Sequence, residues 1–190
     1  MFDLDSLDEA LQVLGELLED RGLRFDLALV GGGALLLVGA ISRPTKDLDV
    51  VAIIEFDALH RAEPFPAGLR SAVEDVAGAL GLPSNWLNAG PAALLDLGLP
   101  VGFLERAETR HFGALTIRLA SRVDQIAFKL YAAVDQGPRS KHFADLSKLE
   151  PNRGELLESG RWCRTHDPSD GFQAMLVQAL EALGVEEPDV

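Results

Sequence analysis

Between Phe25 and Ile54 the chain sets two apolar runs of strand length on either side of three consecutive glycines, and this constrains the fold more than any other feature. Phe25 to Val30 reads as a short buried strand. Gly31-Gly32-Gly33 breaks it, and Ala34 to Val38 then reads as a short helix starting directly after the glycines. Gly39 to Lys46 is a loop rich in turn formers and basic residues. Asp47 to Ile54 is the next strand. Its start alternates acids with apolar residues and its end is apolar throughout, the pattern of a strand inside a sheet.

The remainder supplies helices and a few further strands. Residues 5–20 read as an amphipathic helix, with Leu7, Ala10, Leu11, Leu14, Leu17 and Leu18 on one stripe. Ser6 and Glu9 have the spacing of a capping box, and Arg21-Gly22 closes the helix. Leu69 to Leu80 reads as a helix, and residues 82–100, with Pro83, Pro91 and Pro100, as irregular. Val101 to Leu104 and Leu115 to Leu119 read as strands. Val123 to Val134 is a helix with Val123, Ile126, Ala127, Leu130 and Val134 inward, followed by a shorter helix over Lys141 to Leu149. Beyond Pro151, residues 154–163 and 169–184 read as a helical tail. The expectation is an α+β fold: an α/β core over 1–120 and a helical C-terminal part over 121–190, packed on the core as one compact unit.

Composition narrows the function. A chain of 190 residues with 47% hydrophobic content can bury a real core. No apolar run approaches the roughly 18 to 20 residues needed to span a bilayer. The acidic opening Met1-Phe2-Asp3-Leu4-Asp5 is unlike a secretory signal, and the single Cys163 has no internal disulfide partner, which together point to the cytoplasm and away from a membrane. A net charge of −13 argues against a broad grip on DNA or RNA, while leaving room for a small basic pocket for one nucleotide or one RNA end.

A strand that ends in glycines and turns straight into a helix aims backbone N–H groups at one point, where an anion is welcome. Leu36 stands where a dinucleotide fingerprint needs glycine, and no Gly-Lys-Ser/Thr follows, so neither common phosphate motif applies. Asp47 and Asp49 add the decisive element. Two residues apart on a strand, they share a face, and their mutual repulsion is relieved when a cation joins them. Magnesium suits this setting, since it takes hard oxygen ligands from one or two carboxylates plus substrate phosphates.

Val30-Gly31-Gly32-Gly33-Ala34, then Gly39, Arg43, Thr45, Lys46 and Asp47-Leu48-Asp49-Val50, resembles the signature of the nucleotidyltransferase superfamily, the polymerase-beta-like fold. It looks closest to minimal bacterial members, including toxin subunits of abortive-infection type IV toxin–antitoxin pairs. Asp124 to Ala133 with Lys129, followed by Arg139, Lys141 and Asp145-Leu146, resembles a later motif of those proteins. Trp86-Leu87-Asn88, Pro100, Gly102 and Trp162 to Asp167 resemble further segments of related nucleotidyltransferase-like proteins. The resemblance implies a small mixed β-sheet flanked by helices, two Mg²⁺ ions on Asp47 and Asp49, and an NTP with its phosphates on Gly32 and Gly33. A hydroxyl of an RNA, a protein or a small molecule would attack the α-phosphorus, and a cognate antitoxin protein is an implied partner. The chain departs from the family pattern in three places. Gly33 stands where a serine is common, His142 where an aspartate is, and Leu115 to Leu119 offers no third carboxylate, leaving Glu105 as the nearest candidate.

Six basic residues bear on this reading. Lys129 either reaches the triphosphate or lays its stem along the stripe's edge with its head in water, and Asp145 is placed to meet either His142 or Lys129. Arg43 and Lys46, on the loop entering the aspartates, either contact phosphate or stand as surface charges. Arg139 forms a basic strip with Lys141 and Lys148, which either guides an RNA acceptor or is a solvated helix face. Cys163, His166, Asp167 and Asp170 match no common zinc spacing, and Trp86 and Trp162 read as packing residues.

Overall fold

A computed structural model describes residues 1–190 and shows an α+β protein that divides into two compact units, Met1–Ala120 and Ser121–Val190. No helix is long and apolar enough to cross a membrane.

In the first unit, α1 (Leu4–Asp20) precedes β1 (Phe25–Val30), α2 (Gly31–Leu37), β2 (Leu48–Glu55) and β3 (Ala58–Arg61). Then come α3 (Ala67–Leu80), β4 (Leu87–Asn88), a 3-10 helix over Gly90–Leu97, α4 (Phe103–Arg106), β5 (Glu108–Phe112) and β6 (Leu115–Leu119). The six strands form one mixed sheet in the order β3-β2-β1-β6-β5, with β4 also paired to β2. The β1–β6 pair is parallel and the β1–β2 pair antiparallel, so β1 sits at the centre between both types of neighbour.

Register assigns the faces. Phe25, Leu27 and Leu29 on β1 pair with Leu115, Ile117 and Leu119 on β6, which makes one face apolar. Asp26 and Ala28 pair with Thr116 and Arg118, so the other face is mixed. There the Arg118 guanidinium donates to both Asp26 oxygens at 2.8 to 3.2 Å. A β-bulge interrupts the β1–β2 ladder: Ala28 faces Ala52 while Leu29 faces Val50, leaving Val51 as the extra residue. Residues of β2 before the bulge therefore lie on the opposite face from the one that simple alternation would give them. Asp49 consequently pairs with Val30 on the mixed face.

The second unit is helical: α5 (Arg122–Gln136), α6 (Lys141–Lys148), α7 (Arg153–His166) and α8 (Asp170–Ala182). Side-chain caps from Ser121, Ser140, Asn152 and Ser169 open all four helices. Arg122 fastens the first turn of α5 to the α6–α7 connection. It donates to Leu149 and Glu150 carbonyls at 2.8 Å and to Glu155 at 2.6 Å.

Several sequence expectations need correction. The box that caps α1 is Asp3 with Ser6, because the helix begins earlier than its apolar stripe. The glycines do not precede α2 but form its first turn. Val101 to Leu104 is not a strand: Gly102 adopts a left-handed φ of 77°, Val101 is fully open to solvent, and the single turn α4 follows. Strands β3 and β5 and the short β4 were absent from the sequence expectation. The first two are exposed, polar edge strands without an apolar alternation.

Helix α1 approaches β5 so closely that a Cβ on Gly15 would collide with the Phe112 carbonyl oxygen, whereas one on Gly78 in α3 would meet nothing within 4 Å. Gly15→Ala is expected to lower stability by about 1–3 kcal/mol through overpacking. Gly78→Ala should raise it by about 0.5–1 kcal/mol by removing a helix glycine. Opposite shifts in urea midpoint would confirm the pair, and equal midpoints would refute the close packing.

Candidate functional site

The mixed face meets the β1–α2 turn at one end of the sheet, and three elements converge there. Gly31 adopts φ +78°, a left-handed conformation that a side chain would strain. A Cβ built on it would stand 2.6 Å from Asp49 Oδ2, so glycine also leaves the room in which this carboxylate lies. Above Gly32 the nearest groups are Thr45 Oγ1 and the Arg43 guanidinium, 3.3 and 3.4 Å from an added Cβ. Gly33 has a different task. It is buried, and its Cα faces the Leu48 side chain and the Asp47 carbonyl oxygen, the latter 2.8 Å from an added Cβ. Its lack of a side chain permits close packing of α2 on β2.

The loop that carries Arg43 is anchored on both sides. Thr45 is 5% exposed, exchanges two backbone hydrogen bonds with Phe2 at 2.7 and 3.0 Å, and donates its hydroxyl to the Asp47 carbonyl at 3.2 Å. The Phe2 ring rests against Trp86, 6.2 Å between centroids, and the Trp86 indole N–H donates to the Val73 carbonyl at 3.1 Å. Trp86 is thus the packing residue its sequence suggested. Asp47 and Asp49 are both half-buried, and Lys46 is exposed.

Sequence reasoning gave no role to Asn88. Strand β4 lies parallel to β2 with Asn88 directly beside Asp49. The Asn88 amide donates to Asp49 Oδ1 at 3.2 Å and to the Leu48 carbonyl at 3.3 Å, while its own oxygen accepts from the Gly90 N–H at 2.8 Å. The only trace in the sequence is the Trp86-Leu87-Asn88 segment, whose strand is too short to carry a pattern.

These donors fit a magnesium ion as a partial set. Two half-buried carboxylates leave the other coordination positions to ligand phosphates and water, which is how Mg²⁺ is usually held. No group of three or more His, Cys, Asp or Glu side chains gathers at metal-binding spacing. Glu105 is exposed on α4, just ahead of β5, and β5 lies three strand spacings, about 14 Å, from β2. Asp47 immediately precedes β2 and Asp49 is its second residue, so both stand at the start of that strand, away from Glu105.

Within the second unit, Lys129 is not a surface lysine. It is 3% exposed and donates to Asp145 Oδ2 at 2.9 Å, with Asp145 itself 1% exposed. This is the cross-helix pairing that was one of the two open readings of Asp145, and it corrects the picture of a Lys129 head in water. Arg139, Lys141 and Lys148 are exposed. Cys163 is fully buried with its thiol directed at the Ala127 carbonyl at 3.8 Å, and burial pushes the thiol far above its ordinary range.

Two outcomes follow for these groups. Lys129→Ala should cost about 3–5 kcal/mol, because Asp145 would remain as a buried charge without its ion-pair partner. The double substitution Lys129→Met with Asp145→Leu should recover most of that loss in chemical denaturation. Gly31→Ala should destabilise the unit and displace the Asp49 carboxylate, seen as lost amide signals around residues 30–33 and 49 in a heteronuclear NMR spectrum. Unchanged spectra would refute the contact.

Compared with known proteins, the chain matches no protein family, no curated protein and no solved structure.

Proposed function

We propose that this chain is a Mg²⁺-dependent nucleotidyltransferase of the cytoplasm, acting from an NTP on a hydroxyl of an RNA, a protein or a small molecule. The observation that carries the reading is the convergence of Asp49, the left-handed Gly31 and the Arg43 guanidinium over Gly32 at one end of the sheet. Phosphate oxygens are placed by the guanidinium and by the glycine turn, which admits them close to the backbone. Magnesium held on Asp47 and Asp49 supplies charge neutralisation at the transferring phosphorus. The acceptor oxygen forms a bond to the α-phosphorus, the bond to the bridging oxygen breaks, and pyrophosphate leaves. The hydroxyl proton passes to an aspartate carboxylate or to water. Within the first unit the cations on the loop entering the aspartates are Arg43, set over Gly32, and the exposed Lys46. The resemblance to toxin subunits makes a cognate antitoxin a proposed partner.

A second reading has a specific observation behind it. Glu105 stands on α4, ahead of the edge strand β5, and no group of three or more His, Cys, Asp or Glu side chains gathers around Asp47 and Asp49. A nucleotidyltransferase-like protein that binds or senses a nucleotide without turnover, or binds a protein partner, fits such a site.

Each labelled NTP, incubated with Mg²⁺ and total cellular RNA, separates the two. Label in RNA or protein that falls by at least about 100-fold in Asp49→Asn and is abolished by chelation supports the transferase. Nucleotide binding without label supports the sensor, and neither label nor binding supports the partner-binding relative. Arg43→Ala should raise the apparent KM for the NTP by about tenfold, as expected for loss of one charge-assisted contact.

A further inference from the structure

Asp49 is held by more than its own strand. The Asn88 side chain makes three hydrogen bonds, and two of them go to backbone groups that fix which way round the amide lies. The Gly90 N–H requires an acceptor and receives the Asn88 oxygen; the Leu48 carbonyl requires a donor and receives the nitrogen. Interchanging the two would place donor against donor and acceptor against acceptor. The nitrogen therefore faces Asp49 Oδ1, and a donor rather than an acceptor meets this carboxylate. The parallel β4–β2 pairing supplies the distance, since Asn88 and Asp49 are register partners.

We propose that Asn88 is the positioning residue of the carboxylate site: it clamps Asp49 in the single orientation in which that carboxylate meets a divalent cation beside Gly31. The proposal rests on the nucleotidyltransferase reading and extends it. A carboxylate that ligates a metal must be aimed, and a hydrogen bond from a neighbouring side chain is the usual means. Gly31 borders the same carboxylate on its Oδ2 side, and Asn88 holds Oδ1, so the group is gripped between strand and turn. The short β4 and its attachment to β2 thereby acquire a purpose beyond sheet extension: they carry the amide to Asp49.

Losing such an outer partner typically lowers metal affinity by about 10–100-fold. The test is direct titration of Mn²⁺, followed by electron paramagnetic resonance, with ATP, CTP, GTP and UTP each present in turn. Wild type is expected to bind Mn²⁺ and Asp49→Asn to lose it. Asn88→Ala should weaken it by about 10–100-fold while retaining a cooperative thermal transition. Asn88→Asp keeps the acceptor for Gly90 but turns a carboxylate oxygen toward Asp49. It should melt at a lower temperature than wild type without metal and gain more on addition of Mn²⁺. A purely structural role for Asn88 would shift melting temperatures in both variants without changing either Mn²⁺ affinity or the metal-induced gain, and that result overturns the proposal while leaving the transferase reading intact. If Asn88→Ala fails to fold, the metal-induced gain of Asn88→Asp decides: a gain equal to wild type overturns it. Absence of Mn²⁺ binding by wild type with every nucleotide overturns both.

Discussion

The β-bulge at Val51 is the constraint on which the site depends. A strand alternates its side chains with period two, so one added residue moves everything beyond it to the other face. Without the bulge, Asp49 would share the face of Ile53 and Leu27, the apolar side of the sheet. A carboxylate there would be buried among leucines at a cost of several kcal/mol. With it, Ile53 and Val50 both point into the apolar layer while Asp49 crosses to the face of Arg118, Asp26 and Thr116. The bulge lets one strand satisfy a core and present Asp49 near its start.

The electrostatics of that end of the sheet run against those of the whole chain. A protein of net charge −13 repels polyanions in general. Yet the loop between α2 and β2 sets the Arg43 guanidinium over Gly32, beside the turn where Gly31 meets Asp49. A guanidinium at that point is a local positive charge on an otherwise acidic protein. The anchoring of Thr45 to Phe2 and of Phe2 to Trp86 keeps this loop from moving independently of the sheet.

What was legible in the sequence follows burial. Strands β1, β2 and β6 could be read because their residues are apolar and their bounds are set by glycine, basic loops and turns. Edge strands β3 and β5 could not, since neither carries a buried row and both are rich in charged or polar side chains. The spacing of Asp47 and Asp49 suggests a shared face, but β2 begins only at Leu48, and the face of Asp49 is set by a bulge that leaves no mark in a run of Val, Ala and Ile. The three glycines look alike in sequence and differ in space: a left-handed turn at Gly31, a covered cradle at Gly32, and tight helix–strand packing at Gly33. Asn88 could be assigned only once β4 was seen to pair with β2.

Lys129 shows how a family pattern and a physical role can diverge. Its spacing from the apolar stripe gives no sign of burial, and no acid lies one helical turn away, yet Asp145 on the next helix meets it with both groups almost sealed from water. Burying two charges has a desolvation cost that mutual attraction offsets only when the geometry is met, so the pair penalises every docking of α6 on α5 except the one observed. Arg122 acts at the other end of the same assembly, where its bonds to Leu149, Glu150 and Glu155 fix the connection that leads from α6 into α7. The Arg122 guanidinium in turn holds the Glu155 carboxyl below its usual range, so this tie weakens as pH falls through the lowered value. The basic residues that resemble a substrate-binding motif in sequence are thus divided by the fold. Within the helical unit Lys129 is paired with Asp145 while Arg139 and Lys141 remain exposed; within the first unit Arg43 is set against the glycine turn.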